Sequence, residues 1–243
     1  MTIIERISKL NSGIAILIDP DKFKTENDLN LYLEKVGYAQ PDILLIGGST
    51  VSKIDFQNCV VSAKSKISAP IVLFPGGSHQ LSGEAEALLF LSLISGRNPD
   101  YLIGQHVASI DELEKLDIEI IPTSYILIDG GKKSSVEYVS NTNPIPGESY
   151  SIARKTALAG NYLGHQLIYA DAGSGAIDCI RPEMIETLAS VGSPLIIGGG
   201  IKTIEHIEIA HSAGANLVVI GNKIEEDIDF LLDLRNMTSK PRL

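Results

Sequence analysis

The sequence predicts an α/β protein built as a single (β/α)₈ barrel, on three observations. Its 243 residues match the size of one such domain. Short apolar runs rich in β-branched residues recur at 14–19, 43–46, 71–74, 101–104, 125–129, 167–171, 195–197 and 217–220. Helical patterns separate them, as at 26–36, 83–94, 151–162, 182–189, 203–213 and 225–234.

The apolar runs are continuous rather than alternating, which is the pattern of parallel strands buried on both faces. Strand and helix alternate, and an alternation of this kind calls for a parallel sheet. Eight units in one chain of this length favour closure over an open doubly wound sheet, which stays the alternative. The rhythm breaks at 129–146, where Gly130-Gly131-Lys132-Lys133 and Asn141-Thr142-Asn143-Pro144 are turn chemistry. That segment reads either as a lid or binding loop or as a surface connection. No repeat or low-complexity tract marks a second domain, so residues 1–243 are expected to form one.

Composition narrows the function. Hydrophobic residues make up 44% and charged residues 21%, the balance of an ordinary globular chain. The formal charge of −10 disfavours nucleic acid, which needs a basic surface to displace phosphate counterions. An anionic ligand would need backbone amides, helix N-termini or a metal ion. The N-terminus lacks a basic start with an apolar run, and no stretch nears the ~18 apolar residues of a membrane span. A soluble, cytoplasmic protein is the expectation. Cys59 and Cys179 fit no metal or redox spacing and read as reduced structural residues.

In such barrels functional groups gather at the C-terminal ends of strands. After the first run comes Asp19-Pro20-Asp21-Lys22. Asp21 and Lys22 suit a turn as well as a site. Asp19 closes an apolar strand, where an unpaired carboxylate is costly unless it meets a cation, and Mg²⁺ is a natural partner. Gly47-Gly48-Ser49-Thr50 follows the second run. It reads as a glycine turn whose Ser49 or Thr50 caps the next helix, or as a loop whose Ser49 oxygen faces the same ion as Asp19. His106, placed at the end of the 101–104 run, reads as structural or as an acid-base group. His206 and His211 lack chelating spacing and are taken as surface residues.

The most informative constellation comes from the last three strands. Tyr169, Ala170, Asp171, Ala172, Gly173, Ser174 and Gly175 end the sixth, Gly198, Gly199, Gly200 and Ile201 the seventh, and Gly221 with Asn222 the eighth. Each glycine patch lies between a strand and a helix, so amides and helix N-termini can surround a phosphate without lysine or arginine. Asp171 reads as a turn cap or as a group that bonds substrate hydroxyls and accepts a proton from one.

Together these residues, with Ile18 to Lys22, Phe74-Pro75-Gly76, Ser95-Gly96-Arg97-Asn98-Pro99 and Ile121 to Tyr125, resemble the geranylgeranylglyceryl phosphate synthase family along nearly the whole chain. The resemblance implies a modified TIM barrel that transfers a C20 prenyl group from geranylgeranyl diphosphate to the 3-hydroxyl of sn-glycerol 1-phosphate. It implies Mg²⁺ on Asp19 and Ser49, and glycerol 1-phosphate on Tyr169 to Gly175, Gly199, Gly200, Gly221 and Asn222, with Asp171 as the catalytic group. The family commonly carries Glu at the Asp171 position, one methylene longer. Leu17 stands where smaller bacterial relatives carry lysine, which points to the larger, archaeal-like group. Tyr101 falls where an aromatic residue limits the prenyl tunnel. Phe74, Pro75, Tyr101 and Tyr125 are expected to border a prenyl groove, with transient membrane-surface contact. A homo-oligomer, either dimer or hexamer, is also implied. The alternatives are a synthase using a longer donor, a sugar-phosphate isomerase or aldolase, and a regulatory phosphate-binding module. The isomerase or aldolase would need an acid-base pair or Schiff-base lysine that no strand end supplies. The module would have no use for a metal site.

Overall fold

A computed structural model describes residues 1–238, so the last five positions of the expected 1–243 domain lie outside the described residues. The elements run in the order α1 (Ile3–Lys9), β1 (Gly13–Ile18), α2 (Glu26–Ala39), β2 (Ile43–Ile46), α3 (Lys53–Lys66), β3 (Ile71–Leu73) and β4 (Ala87–Leu93). Then follow α4 (Gln105–Leu113), β5 (Glu119–Leu127), α5 (Ser135–Ser140), α6 (Tyr150–Tyr162), β6 (Leu167–Asp171) and α7 (Pro182–Ala189). The chain ends with β7 (Leu195–Gly198), α8 (Ile204–Ser212), β8 (Leu217–Ile220), α9 (Asn222–Glu226) and α10 (Phe230–Thr238). The strands hydrogen-bond in sequence order into a closed barrel, as the alternation of elements predicts.

Local chemistry explains where the helices start. Thr2, Thr25, Ser52, Ser134 and Thr203 each stand just before a helix, and each side-chain oxygen accepts the amide three residues on, at 3.1–3.3 Å. Pro182 opens α7, where a missing N–H leaves nothing unsatisfied. β2, β3, β7 and β8 are buried along their whole length, consistent with their unbroken apolar character.

The fourth strand is a correction. The 101–104 run is a π-helical turn (Asp100–Gly104) that leads into α4, and β4 lies instead within the segment 83–94 expected to be helical. A short apolar run does not separate buried strand from buried helix by period alone, and Ala87 to Leu93 is such a run. Two misplacements cancel, so eight strands were expected and eight are found. His106 therefore sits in α4 rather than at a strand end. The segment 74–86 between β3 and β4 holds no helix, which makes the barrel a modified one. The 129–146 segment contains α5, capped by Ser134, rather than turns alone, and the helix expected over 225–234 is two, α9 and α10.

The chain groups into two compact units. The first holds Met1–Gly13, Phe90–Val107 and Ile121–Val219, and the second holds Ile14–Leu89, Ala108–Ile120 and the chain from Ile220 onward.

Candidate active site

In the first unit, β5 and β6 pair in parallel with Tyr125 opposite Tyr169 and Leu127 opposite Asp171. The two tyrosine rings meet edge to face at 5.5 Å. The Tyr125 hydroxyl donates to Asp171 Oδ2 at 2.6 Å, while Asp171 Oδ1 accepts the Gly173 amide at 2.8 Å. Asp171 is only 8% exposed, and burial raises its pKa against the lowering influence of those two donors. Burial together with the Asp171 charge pushes the Tyr125 and Tyr169 hydroxyls well above the usual range, so both stay protonated phenols.

The β7 loop closes on this carboxylate. Gly199 has φ +80°, and a Cβ there would stand 2.7 Å from Asp171 Oδ1 and from the Gly173 amide nitrogen, so only glycine fits. The Gly198 backbone faces the Tyr169 hydroxyl in the same way. Gly200 seats against the carbonyl of Asp178. Ala170 and Ala172 are buried, whereas Ser174 and Gly175 at the tip of the β6 loop are exposed. The structure thus brings together Tyr125, Tyr169, Asp171, Gly173 and Gly199. A buried carboxylate held by one phenol and one amide has the chemistry to orient a hydroxyl and take its proton.

Tyr125 was expected in an apolar groove, and its hydroxyl is instead committed to Asp171. Tyr101 lies half-buried in the π-helical turn, its hydroxyl donating to the Val139 carbonyl at 3.4 Å. Ser95 and Asn98, which follow β4, also hold the loops of this unit, a role that no local pattern in the sequence announces. Ser95 Oγ accepts the Leu127 amide at 2.9 Å, and Asn98 Nδ2 donates to the Ser140 carbonyl at 2.8 Å. They pin β5 and α5, and only the correct placement of β4 would have revealed them. His106 is buried, its Nε2 3.2 Å from Ser92 Oγ and its ring edge-on to Phe90. Burial lowers its pKa, as does nearby His165.

The second unit holds Asp19, Ser49, Phe74, Pro75, Gly221 and Asn222. Asp19 Oδ1 accepts the Asp21 amide at 3.1 Å and caps a short 3-10 turn, Pro20–Lys22. A Cβ on Gly48 would overlap the Asp19 carboxylate, so glycine is required where the β2 loop passes it. Burial raises the Asp19 pKa, helped by Asp21 and Glu225 and opposed by the Asp21 amide and Lys22. Gln80, fully buried, holds the loops in place by accepting the Gly76 amide at 3.0 Å and donating to the Gly48 carbonyl at 2.8 Å. Thr50 donates to Asp21 at 2.5 Å, and Lys22 pairs with Glu225 at 3.6 Å. Ser52, not Ser49 or Thr50, caps α3. Phe74 and Pro75 are half-buried at the end of β3. Gly221 packs beside Leu17 of β1, and Asn222 opens α9.

Asp19 and Ser49 each carry an oxygen that suits a hard cation. Among the described residues neither Asp19 Oδ2 nor the Ser49 hydroxyl has a hydrogen-bond donor or acceptor, and both are oxygens of the kind that Mg²⁺ takes. No group of three or more His, Cys, Asp or Glu among the described residues is placed to hold a metal by itself, so phosphate and water oxygens would have to complete the shell. Cys59 and Cys179 are both free thiols. No helix among the described residues is long and apolar enough to cross a membrane.

Residues 6–238 match the PcrB family. The geranylgeranylglyceryl phosphate synthase of Zunongwangia profunda is 45% identical over 224 residues, 91% of this chain and 95% of that protein. That of Saccharolobus islandicus is 36% identical over 227 residues, 92% of this chain and 88% of the other. The crystal structure of (S)-3-O-geranylgeranylglyceryl phosphate synthase from Thermoplasma acidophilum, in complex with sn-glycerol-1-phosphate, superposes with a TM-score of 0.89 at 28% identity, covering 97% of this chain and 96% of that one.

Proposed function

Because the chain belongs to the PcrB family and is a prenyltransferase of the geranylgeranylglyceryl phosphate synthase type, we propose that it joins geranylgeranyl diphosphate to the 3-hydroxyl of sn-glycerol 1-phosphate and releases diphosphate. The observation that carries this reading is the buried Asp171 carboxylate, held by Tyr125 and the Gly173 amide against the glycine loop of β7. The bound sn-glycerol-1-phosphate of the Thermoplasma relative supports the choice of acceptor.

In this reading the tip of the β6 loop beyond Gly173, with the amides of Gly199 and Gly200, receives the acceptor phosphate. Neutral amides attract a dianion without adding a side-chain charge. Asp171 orients the 3-hydroxyl and takes its proton as the ether C–O bond forms and the allylic C–O bond to diphosphate breaks. Tyr125 fixes the carboxylate by donating to one oxygen, leaving the other, which the Gly173 amide also touches, toward the hydroxyl. Asp19 and Ser49 would hold Mg²⁺, which supplies charge neutralisation for the departing diphosphate. Phe74 and Pro75 are the apolar residues that the second unit offers to the prenyl chain, and Tyr101 is the candidate of the first.

Incubation of the purified protein with Mg²⁺, labelled glycerol 1-phosphate and prenyl diphosphates of several lengths tests the proposal. A butanol-extractable ether, formed fastest with the C20 donor, supports it. Absence of product at every length sinks it, and a faster C30 or C35 reaction corrects the donor.

A further inference from the structure

The acceptor cradle was read as cation-free, yet the structure delivers one ammonium to its edge. The loop that follows β5 lies along the loop that follows β6. Ile128 N–H donates to the Asp171 carbonyl at 2.9 Å, and the Gly130 carbonyl accepts the amides of Ile177 and Asp178 at 2.9 and 3.2 Å. The Gly130 backbone seats against the Ala172 carbonyl, and Ser134 packs on Gly173. Asp129 Oδ1 accepts the Gly131 amide at 2.9 Å, which sets the turn that presents the next residue. That residue is Lys132, whose Nζ stands 3.7 Å from the point where a side chain on Gly175 would begin.

Neighbouring basic groups already have partners. Lys202 Nζ donates to the Ile177 carbonyl at 2.8 Å, Arg181 pairs with Glu148 at 2.7 Å, and Lys133 lies 6.0 Å from the centre of the Tyr138 ring. Lys132 makes no hydrogen bond or ion pair among the described residues, although the chain carries an excess of acidic groups. The hydrogen bonds between the two loops place its backbone beside the β6 loop, and no ion pair among the described residues draws the ammonium elsewhere. An unpaired ammonium beside the exposed tip of the β6 loop, at Ser174 and Gly175, is placed to meet an anion that arrives there.

We propose that Lys132 is a substrate-binding residue that donates to the phosphate of the acceptor lodged on the Gly173 to Gly175 loop. This rests on the reading of that loop as the acceptor site. The phosphate lies at the opposite end of glycerol 1-phosphate from the reacting hydroxyl, so the lysine acts on acceptor capture and not on the chemical step. An ammonium–phosphate contact of this kind is worth about tenfold in affinity.

The test compares Lys132→Met, Lys132→Ala and Lys132→Arg in the full chain. Each variant's affinity for inorganic phosphate and for glycerol 1-phosphate is measured by calorimetry, and KM is measured for both substrates. The expected result is a loss of about tenfold in affinity for both phosphates and in acceptor KM for the Met and Ala variants. In those variants kcat and donor KM stay within about twofold, acceptor capture depends less steeply on salt, and arginine restores binding. An unchanged acceptor KM overturns the assignment, and so does a rise in donor KM alone. Were the wild-type protein to make no ether yet bind inorganic phosphate about tenfold more tightly than Lys132→Met, the proposed reaction would fall while the lysine kept its role.

Discussion

The hydroxyl of Tyr125 and the carboxylate of Asp171 meet at 2.6 Å across neighbouring strands, in a place where Asp171 is 8% exposed. That contact sets both the basicity and the direction of the buried acid. Burial raises its pKa, and the Tyr125 hydrogen bond, made to the charged form, pulls it back.

Removing the hydroxyl should therefore move the acid further up. In Tyr125→Phe the acid limb of the kcat/KM profile is expected at higher pH than in the wild type, with kcat down about tenfold from lost orientation. A pH–rate profile measures both, and an unmoved acid limb would separate Tyr125 from the function of Asp171.

The raised pKa also has a stability consequence. A carboxyl whose folded pKa exceeds its unfolded value binds its proton more tightly in the native state, so stability declines as pH rises through that interval. Asp171→Asn removes this decline and keeps a hydrogen-bonding partner for both Tyr125 and Gly173. The ligand-free variant should be at least as stable as the wild type at pH 7, with the difference shrinking toward pH 4. Urea denaturation at several pH values reads it, and a variant destabilised at pH 7 would contradict the account.

How much of this was legible in the sequence depends on the element. β6 and β8 fall where their apolar runs lie, because glycine or aspartate punctuates each end. β4 is not legible, because Ala87 to Leu93 is a short apolar run whose period does not separate strand from helix, while Tyr101 to Gly104 is an apolar run that ends in glycine as a strand does. The glycine loops could be read locally, since strand–glycine–helix is contiguous. The Tyr125–Asp171 pair could not, because it depends on the register that sets Leu127 beside Asp171. Lys132 was hidden for the same reason, as its place depends on one loop docking on another.

Gly199 tests the close approach of the β7 loop. A methyl group there would stand 2.7 Å from Asp171 Oδ1 on a backbone with φ +80°. Gly199→Ala is expected to lose about 1–3 kcal/mol of stability and to raise acceptor KM at least about tenfold. Thermal denaturation and steady-state kinetics check the two parts, and wild-type values for both would refute the geometry.

Asp19 and Ser49 make a prediction readable without turnover. Mg²⁺ should raise the melting temperature of the wild-type protein and leave that of Asp19→Asn unchanged. Without metal, Asp19→Asn should be no less stable than the wild type, because a desolvated carboxylate has been removed. Ser49→Ala should weaken the Mg²⁺ response without abolishing it. Equal Mg²⁺ stabilisation of the wild type and Asp19→Asn would place the metal elsewhere.

The most direct measurement is the initial rate of ether formation at saturating glycerol 1-phosphate and geranylgeranyl diphosphate, for the wild type and Asp171→Asn side by side. Steady product is expected from the wild type, with a loss of about 10²- to 10⁴-fold in the folded variant. A wild type that makes no ether, or an Asp171→Asn variant that keeps the wild-type rate, would contradict this expectation.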